Sequence, residues 1–200
     1  MLELKNLNKS YKTPIITDLN LTIDKGLFGL LGPNGAGKSS LMKMIATLVK
    51  PESGEIIFNG TNILEKPEFM RQRLGYLPQE FGVYPKLSAV MLLDHFAKLK
   101  GVLDKAERKQ QVEFLLAKTN LWRFRNRAVS GFSGGMKQRF GVAQALLGNP
   151  ELVVVDEPTA GLDPLERNRF YDLLAMFAED RVVILSTHIV EDVSVLCSNM

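Results

Sequence analysis

Gly32-Pro33-Asn34-Gly35-Ala36-Gly37-Lys38-Ser39-Ser40 has the residue types and spacing of a loop that holds phosphate. The stretch fits the pattern G-x-x-x-x-G-K-[ST]. Its glycines let the backbone curl tightly and turn N–H groups toward phosphate oxygens. Lys38 can reach β- and γ-phosphates as a mobile point charge. The Ser39 hydroxyl is placed to ligate a Mg²⁺ carried by the same phosphates. The flanks fit as well. Residues 27–31 are apolar and read as a buried strand, and residues 41–49 read as a helix whose N-terminal end attracts anions. Kinases, GTPases and motors share such a loop, so it does not name a function by itself.

Leu152-Val153-Val154-Val155-Asp156-Glu157 narrows the chemistry. A β-branched run of this kind reads as a fully buried parallel strand, and ligands sit at the carboxyl ends of such strands. Asp156 at the strand tip can hold Mg²⁺ through water. Glu157 can polarise or deprotonate a water aimed at a γ-phosphate.

Ser133-Gly134-Gly135-Met136-Lys137-Gln138-Arg139 is a third signal. Ser133 is a good N-cap, and residues 138–147 continue as an apolar-faced helix. A second helix start with exposed N–H groups is a second anion site. Two such starts about a hundred residues apart imply one nucleotide gripped by both, within one chain or between two.

Together these motifs resemble the ATP-binding cassette of ABC transporters, and the resemblance runs from Leu2 to the end. The 32–40 loop resembles Walker A, 152–157 resembles Walker B with its glutamate, and 133–139 resembles the family signature. Ala160-Gly161-Leu162-Asp163 resembles the D-loop, Gln79 after Gly75-Tyr76-Leu77-Pro78 the Q-loop glutamine, and His188 the switch histidine. The resemblance implies that Tyr11 stacks on adenine. It implies ATP bound through residues 32–40 and, from the other side, through Ser133, Gly134 and Gly135. Lys38, Gln79, Glu157 and His188 then serve catalysis, and Ser39, Gln79 and Asp156 serve the metal. It further implies a head-to-tail dimer with a second ATP-binding subunit, transmembrane permease subunits as partners, and a cytoplasmic place on the inner face of the membrane. The stretch 84–88 to 99–101 resembles the bacterial export-type branch. Phe132 and Met136 depart from the usual Leu and Gln of the signature. The family continues with another strand and helices after the switch histidine, so a chain ending at Met200 is expected to be truncated.

Two other classes are the alternatives. Non-transport ABC ATPases of DNA repair, chromosome organisation or translation usually carry coiled-coil insertions, tandem cassettes or zinc modules, and none is visible. A GTPase needs Asn-Lys-x-Asp, which is absent, and a P-loop kinase has no use for Ser133-Gly134-Gly135. The balance of 25 basic to 22 acidic residues is too even to imply nucleic-acid binding. No apolar run approaches the roughly 20 residues of a membrane span, and no leader is expected, since Glu3 and Lys5 interrupt the first residues. Cys197 is the sole cysteine, so no intrachain disulfide can form and a reducing compartment is expected.

The elements needed to position these residues can be read more coarsely. The expected fold is α/β: a P-loop NTPase with a mostly parallel RecA-like core sheet, an antiparallel β subdomain and a helical subdomain carrying the signature. Strands 27–31, 152–157 and 182–186 build the parallel sheet. Strands 2–4, 19–23 and 55–58, with the Asn59-Gly60 turn, build the antiparallel one. Ser88 caps a helix over 90–99 that ends at Gly101. Asp104 with Glu107 opens another through Lys118, and Asp163-Pro164 opens one over 165–179. The core and β lobe are expected at 1–83 and 150–200, and the helical lobe at 84–149. His95, on an apolar-faced helix, reads as structural or surface. Phe81, Tyr84 and Leu87 read either as lobe core or as a partner surface.

Overall fold

The computed structural model describes residues 1–79, 82, 86–159 and 162–189. Three of the expected motifs lie partly or wholly outside them: the aromatic residues Phe81 and Tyr84, Ala160-Gly161, and everything after Ile189, including Cys197.

The apolar pattern produces two sheets. β1 (Leu2–Ser10), β2 (Pro14–Ile23), β4 (Ser53–Phe58) and β5 (Thr61–Asn62) form an antiparallel sheet in the order β2-β1-β4-β5. β3 (Gly26–Leu31), β6 (Leu74–Leu77), β7 (Leu152–Asp156) and β8 (Val182–Thr187) form a parallel sheet in the order β3-β8-β7-β6. Every residue of β7 and β8 is buried, which is why both read as unbroken hydrophobic runs.

Successive side chains of a strand point to opposite faces, and each face of the parallel sheet gains its own core. Val154 and Ile184 point toward the antiparallel sheet and α1 (Lys38–Ile45), among Leu4, Ile56, Phe58 and Met44. Val153, Val155, Val183 and Leu185 point to the helical side. There they meet α3 (Ala89–Leu99), α4 (Lys105–Lys118), α5 (Gly134–Ala145) and α6 (Pro164–Ala178) through residues such as Leu93, Leu116, Phe140 and Phe170. Each such side chain, fully buried, contributes about 1.5–3 kcal/mol relative to leaving it in water.

Helix starts follow their caps. Ser88, Asp104, Ser133 and Asp163 each accept a hydrogen bond from the backbone N–H three residues on. The signature helix begins at Gly134, directly after its expected Ser133 cap, because that cap outweighs the low helix propensity of two glycines in the first turn. α1 begins at Lys38 rather than 41, and it stops at Ile45 because Thr47 takes φ 60°. β1 and β2 are longer than expected. β6 and the short α2 (Pro67–Arg73) were not anticipated. Two 3₁₀ turns, Trp122–Phe124 and Val129–Gly131, link α4 to α5.

β6 and α5 meet backbone to backbone. A side chain at Gly75 would collide with the Ala145 carbonyl, so the strand leading to Gln79 rests directly on the helix that starts at Ser133. The other seam is polar. Lys100, at the end of α3, donates to the Leu74 and Arg71 carbonyls, and burial pulls its pKa below the usual lysine value. α3 and α4 are tied by Arg108, which is buried and donates to Asp94 Oδ1 at 2.8 Å. His95 is exposed on α3, in line with a surface role. Among the described residues no helix is long and apolar enough to cross a membrane.

Candidate functional site

The site forms at the carboxyl ends of the parallel strands. β3 ends at Leu31 and the chain turns through 32–37 into α1. Gly37 takes φ 91°, and a Cβ there would lie 2.7 Å from Ile15 Cγ2. The turn and the neighbouring strand both require glycine at that position. Lys38 Nζ donates to the Gly32 carbonyl at 2.6 Å and the Pro33 carbonyl at 3.1 Å. It lies 3.7 Å from Glu157 Oε1, with both side chains largely shielded from solvent.

β7 delivers Asp156 and Glu157. Ser39 Oγ donates to Asp156 Oδ1 at 3.3 Å. Ser186 Oγ donates to the same oxygen at 2.6 Å and accepts from the Glu157 N–H at 2.9 Å. Glu157 has φ 44°, a left-handed conformation that costs a non-glycine residue energy and persists only where neighbours enforce it. Ser186 is one such neighbour.

The Glu157 carboxylate is the meeting point. Beyond Lys38, it accepts from Gln79 Nε2 at 3.3 Å and lies 3.6 Å from His188 Nδ1. Gln79 follows β6 and His188 follows β8, so the tips of three parallel strands converge on one acid. The cleft in front of it has a volume of about 340 Å³. It is lined by Ile15, Gln79, Glu157 and the loop residues Asn34, Gly35, Gly37, Lys38, Ser39 and Ser40.

Not every expected residue reaches this cleft. Tyr11 is 58% exposed, lies under Lys9 Nζ at 5.1 Å, and is not among the lining residues; Ile15 from the same region is. Ser133 and Gly134 are exposed at the start of α5 and do not line the cleft of their own chain. Gly135 is buried, and any side chain there would collide with the Glu166 carboxylate of α6. Phe132 is buried edge-on against Phe140 at 6.3 Å, so this departure from the usual signature serves the core. Met136 and Leu87 are partly buried against the same core.

Ile15 and Ser186 were missed by sequence reasoning. Ile15 looks like any strand residue, and Ser186 looks like the polar end of an apolar strand. No spacing rule links either to the loop.

A family model described as ABC transporter matches residues 16–160. The chain belongs to the ABC transporter family. This cassette is 37% identical over 188 residues to the ABC transporter ATP-binding protein NatA of Bacillus subtilis, covering 92% of this chain and 76% of that one. It is 37% identical to the linearmycin resistance ATP-binding protein LnrL of the same organism, covering 100% of this chain and 65% of that one. A solved ATP-binding subunit of an ABC transporter superposes with TM-score 0.85 at 32% identity, covering 98% of this chain and 83% of that one. A dimeric bacterial ABC transporter cassette superposes with TM-score 0.86 at 28% identity, covering 96% and 90%. The fold is that of a P-loop ATPase cassette, as the sequence implied, and the enzyme class is that of the ABC ATPases.

Proposed function

We propose that this chain is the ATP-binding subunit of a transporter, and that it hydrolyses ATP between two cassettes closed head to tail. Transmembrane permease subunits would carry the substrate across, with the cassette on the inner face of the membrane. Residues 1–83 and 150–200 form the core and β lobe of this reading, and 84–149 the helical lobe.

One observation carries it. The Ser133 helix start is exposed and stands outside the Lys38 cleft of its own chain. An anion site that cannot serve its own cleft is suited to one presented by a second chain. The solved bacterial cassette at 28% identity is dimeric, which supports a second chain as the partner.

The geometry and the family resemblance together support the roles proposed for the site residues. ATP phosphates entering the cleft draw Lys38 Nζ away from the Gly32 and Pro33 carbonyls, because a phosphate offers it full negative charge. Gly35, Ala36, Gly37 and Ser40 supply backbone N–H groups, Pro33 and Asn34 shape the loop, and Tyr11 packs beside the base. Ser39 and Asp156 present a hydroxyl and a carboxylate oxygen 3.3 Å apart. This hard-oxygen pair suits Mg²⁺; Ser39 and Asp156 would hold the ion, which would neutralise phosphate charge. Glu157 takes a proton from a water that attacks the γ-phosphorus. The new P–O bond forms as the bond to the β-phosphate oxygen breaks, leaving ADP and phosphate. Gln79 and His188 hold Glu157 and the γ-phosphate in line, with Gln79 also reaching the metal. Across the interface, Ser133, Gly134 and Gly135 of the second cassette close on the same γ-phosphate.

The membrane subunit has a fitting surface. A cleft of about 340 Å³ lies at the seam of the lobes, lined by Leu48, Tyr76, Phe96, Leu99 and Lys100 among others. Leu48 and Leu99 are 61% and 71% exposed at its mouth, the kind of apolar surface that marks a docking site.

Sedimentation of Glu157→Gln with and without ATP tests the core of this reading. ATP is expected to convert monomers to dimers; a monomer at saturating ATP and micromolar protein would overturn it.

A further inference from the structure

A basic cleft lies midway along the signature helix, away from the Lys38 cleft and from Ser133. The C-terminal end of α4 and the middle turns of α5 and α6 border an open cleft of about 320 Å³ lined by Lys118, Arg139, Arg169 and Asp172, with Thr119, Asn120, Leu173 and Met176 completing it. Three cations from three helices face one carboxylate.

The cations are short of partners. Among the described residues, neither Lys118 nor Arg169 has a carboxylate within salt-bridge distance; Lys118 Nζ lies over the Phe114 ring at 5.6 Å. Arg139 is 14% exposed, and its one carboxylate neighbour, Glu166, lies at 4.0 Å. The Arg139 Nε is buried without a hydrogen-bond partner. The sequence explains the imbalance: between Glu113 and Glu151 there is no acidic residue at all. Among the described residues lining the cleft the one carboxylate is Asp172, from α6; Glu166, also on α6, lies near Arg139 but does not line it. The C-terminal dipole of α4 opposes an anion, but its last carbonyls are already engaged by the Thr119 and Asn120 N–H groups, which weakens that opposition.

We propose that this cleft binds a small soluble phosphate-bearing anion of the pyrophosphate or phosphate-monoester class. The volume suits a small molecule. Arg169 and Lys118 are exposed at the cleft, and an arginine fork recognises a phosphate oxygen pair better than a single point charge does. The bound anion ties α4 and α5 of the helical lobe to α6, the helix that opens just after the catalytic strand. It also competes with Glu166 for Arg139, and the Glu166 carboxylate is the group that lies against Gly135. Occupancy is thereby linked to the packing of the signature helix.

Calorimetric titration of pyrophosphate into the chain tests this, with Lys38→Ala in every sample so that the phosphate loop does not compete. Binding is expected to persist in Lys38→Ala. Arg169→Gln and Lys118→Gln are each expected to weaken it by about tenfold, the scale of one charge-assisted hydrogen bond. Asp172→Asn, which removes the opposing charge without burying anything, is expected to tighten it several-fold. Loss of all pyrophosphate binding in Lys38→Ala alone would assign the anion to the phosphate loop and overturn the proposal. So would affinities unchanged by Arg169→Gln and Asp172→Asn. Neither result bears on ATP binding at Lys38, which is read separately with ATP on the parent chain.

Discussion

The Ser186 hydroxyl donates to the Asp156 carboxylate at 2.6 Å and accepts from the Glu157 N–H at 2.9 Å. One buried hydroxyl on β8 thus fixes Asp156 at the end of β7 and Glu157 just after it, the acids proposed to hold the metal and to act as base. Ser186→Ala removes both bonds and leaves a shielded N–H and a carboxylate short of a donor. The expected cost is about 1–2 kcal/mol, a fall in Tm of roughly 2–8 °C for a chain of this size. Turnover is expected to drop about tenfold, as the base loses its fixed position. A thermal melt and a single-turnover ATPase assay check both, and unchanged turnover would remove Ser186 from the list of positioning residues.

Glu157→Gln keeps the shape of the side chain and removes its basicity. Nucleotide binding is expected to stay nearly intact while hydrolysis falls by roughly 10²–10⁴-fold, the scale of a lost general base. ATP-bound dimers should accumulate because the closed state is no longer hydrolysed. Hydrolysis near the parent rate would show that the acid at the centre of the Lys38, Gln79 and His188 contacts is not the base.

Lys38→Ala and Ser133→Arg separate the two anion sites. Lys38→Ala is expected to abolish ATP binding to a single chain. Ser133→Arg is expected to leave that binding intact and block ATP-driven dimerisation, since a bulky cation would stand where the partner's γ-phosphate docks. Fluorescent-ATP affinity and sedimentation of both variants provide the readout. If Ser133→Arg loses affinity as badly as Lys38→Ala, both sites act within one chain.

Asp94 carries a pH-dependent part of the fold. Its pKa is held down first by the hydrogen bond from Arg108, then by Lys98. A carboxyl depressed in the folded state contributes stability that is present above its unfolded value of about 3.9 and is lost as pH falls through the lower folded value. Asp94→Asn is expected to destabilise the chain by about 1–2 kcal/mol at pH 7, because Arg108 is buried and keeps only carbonyl partners. The gap to the parent should narrow below about pH 4. Urea melts at both pH values measure it, and a gap that stays constant with pH would show that the Asp94 charge contributes nothing.

Most of the site was legible because its parts are local in sequence. Lys38, Ser39, Asp156 and Glu157 each sit beside a glycine turn or an apolar run that announces them. Residues whose role is set by another strand were invisible. Ile15 matters because β2 presses against Gly37, and Ser186 because β8 lies beside β7. β6 was missed for a related reason: Leu74-Gly75-Tyr76-Leu77 is short and carries a glycine, which lowers strand propensity. Only the backbone contact of Gly75 with Ala145 shows why the glycine is there. The same limit applies to Gly135, whose spacing marked it as phosphate-facing while its buried side meets Glu166. Tyr11 is a different case: its expected role rests on the resemblance, and its ring is exposed and accessible to a base.

The bond from Lys100 to the Leu74 carbonyl has a mechanical consequence. Interlocked apolar side chains resist sliding, because each small displacement opens a gap on one side and a clash on the other. An ammonium on a four-carbon stem behaves differently. It can follow a carbonyl through a change in distance or angle, or pass to the neighbouring Arg71 carbonyl, without losing its partner. The seam between α3 and the β6 end of the core is therefore compliant in shear, while the Gly75–Ala145 contact beside it is stiff. Rotation of the helical lobe would pivot about the stiff point and be taken up at the lysine. Lys100→Met would replace the adjustable link with a packed one and stiffen the whole lobe against turning.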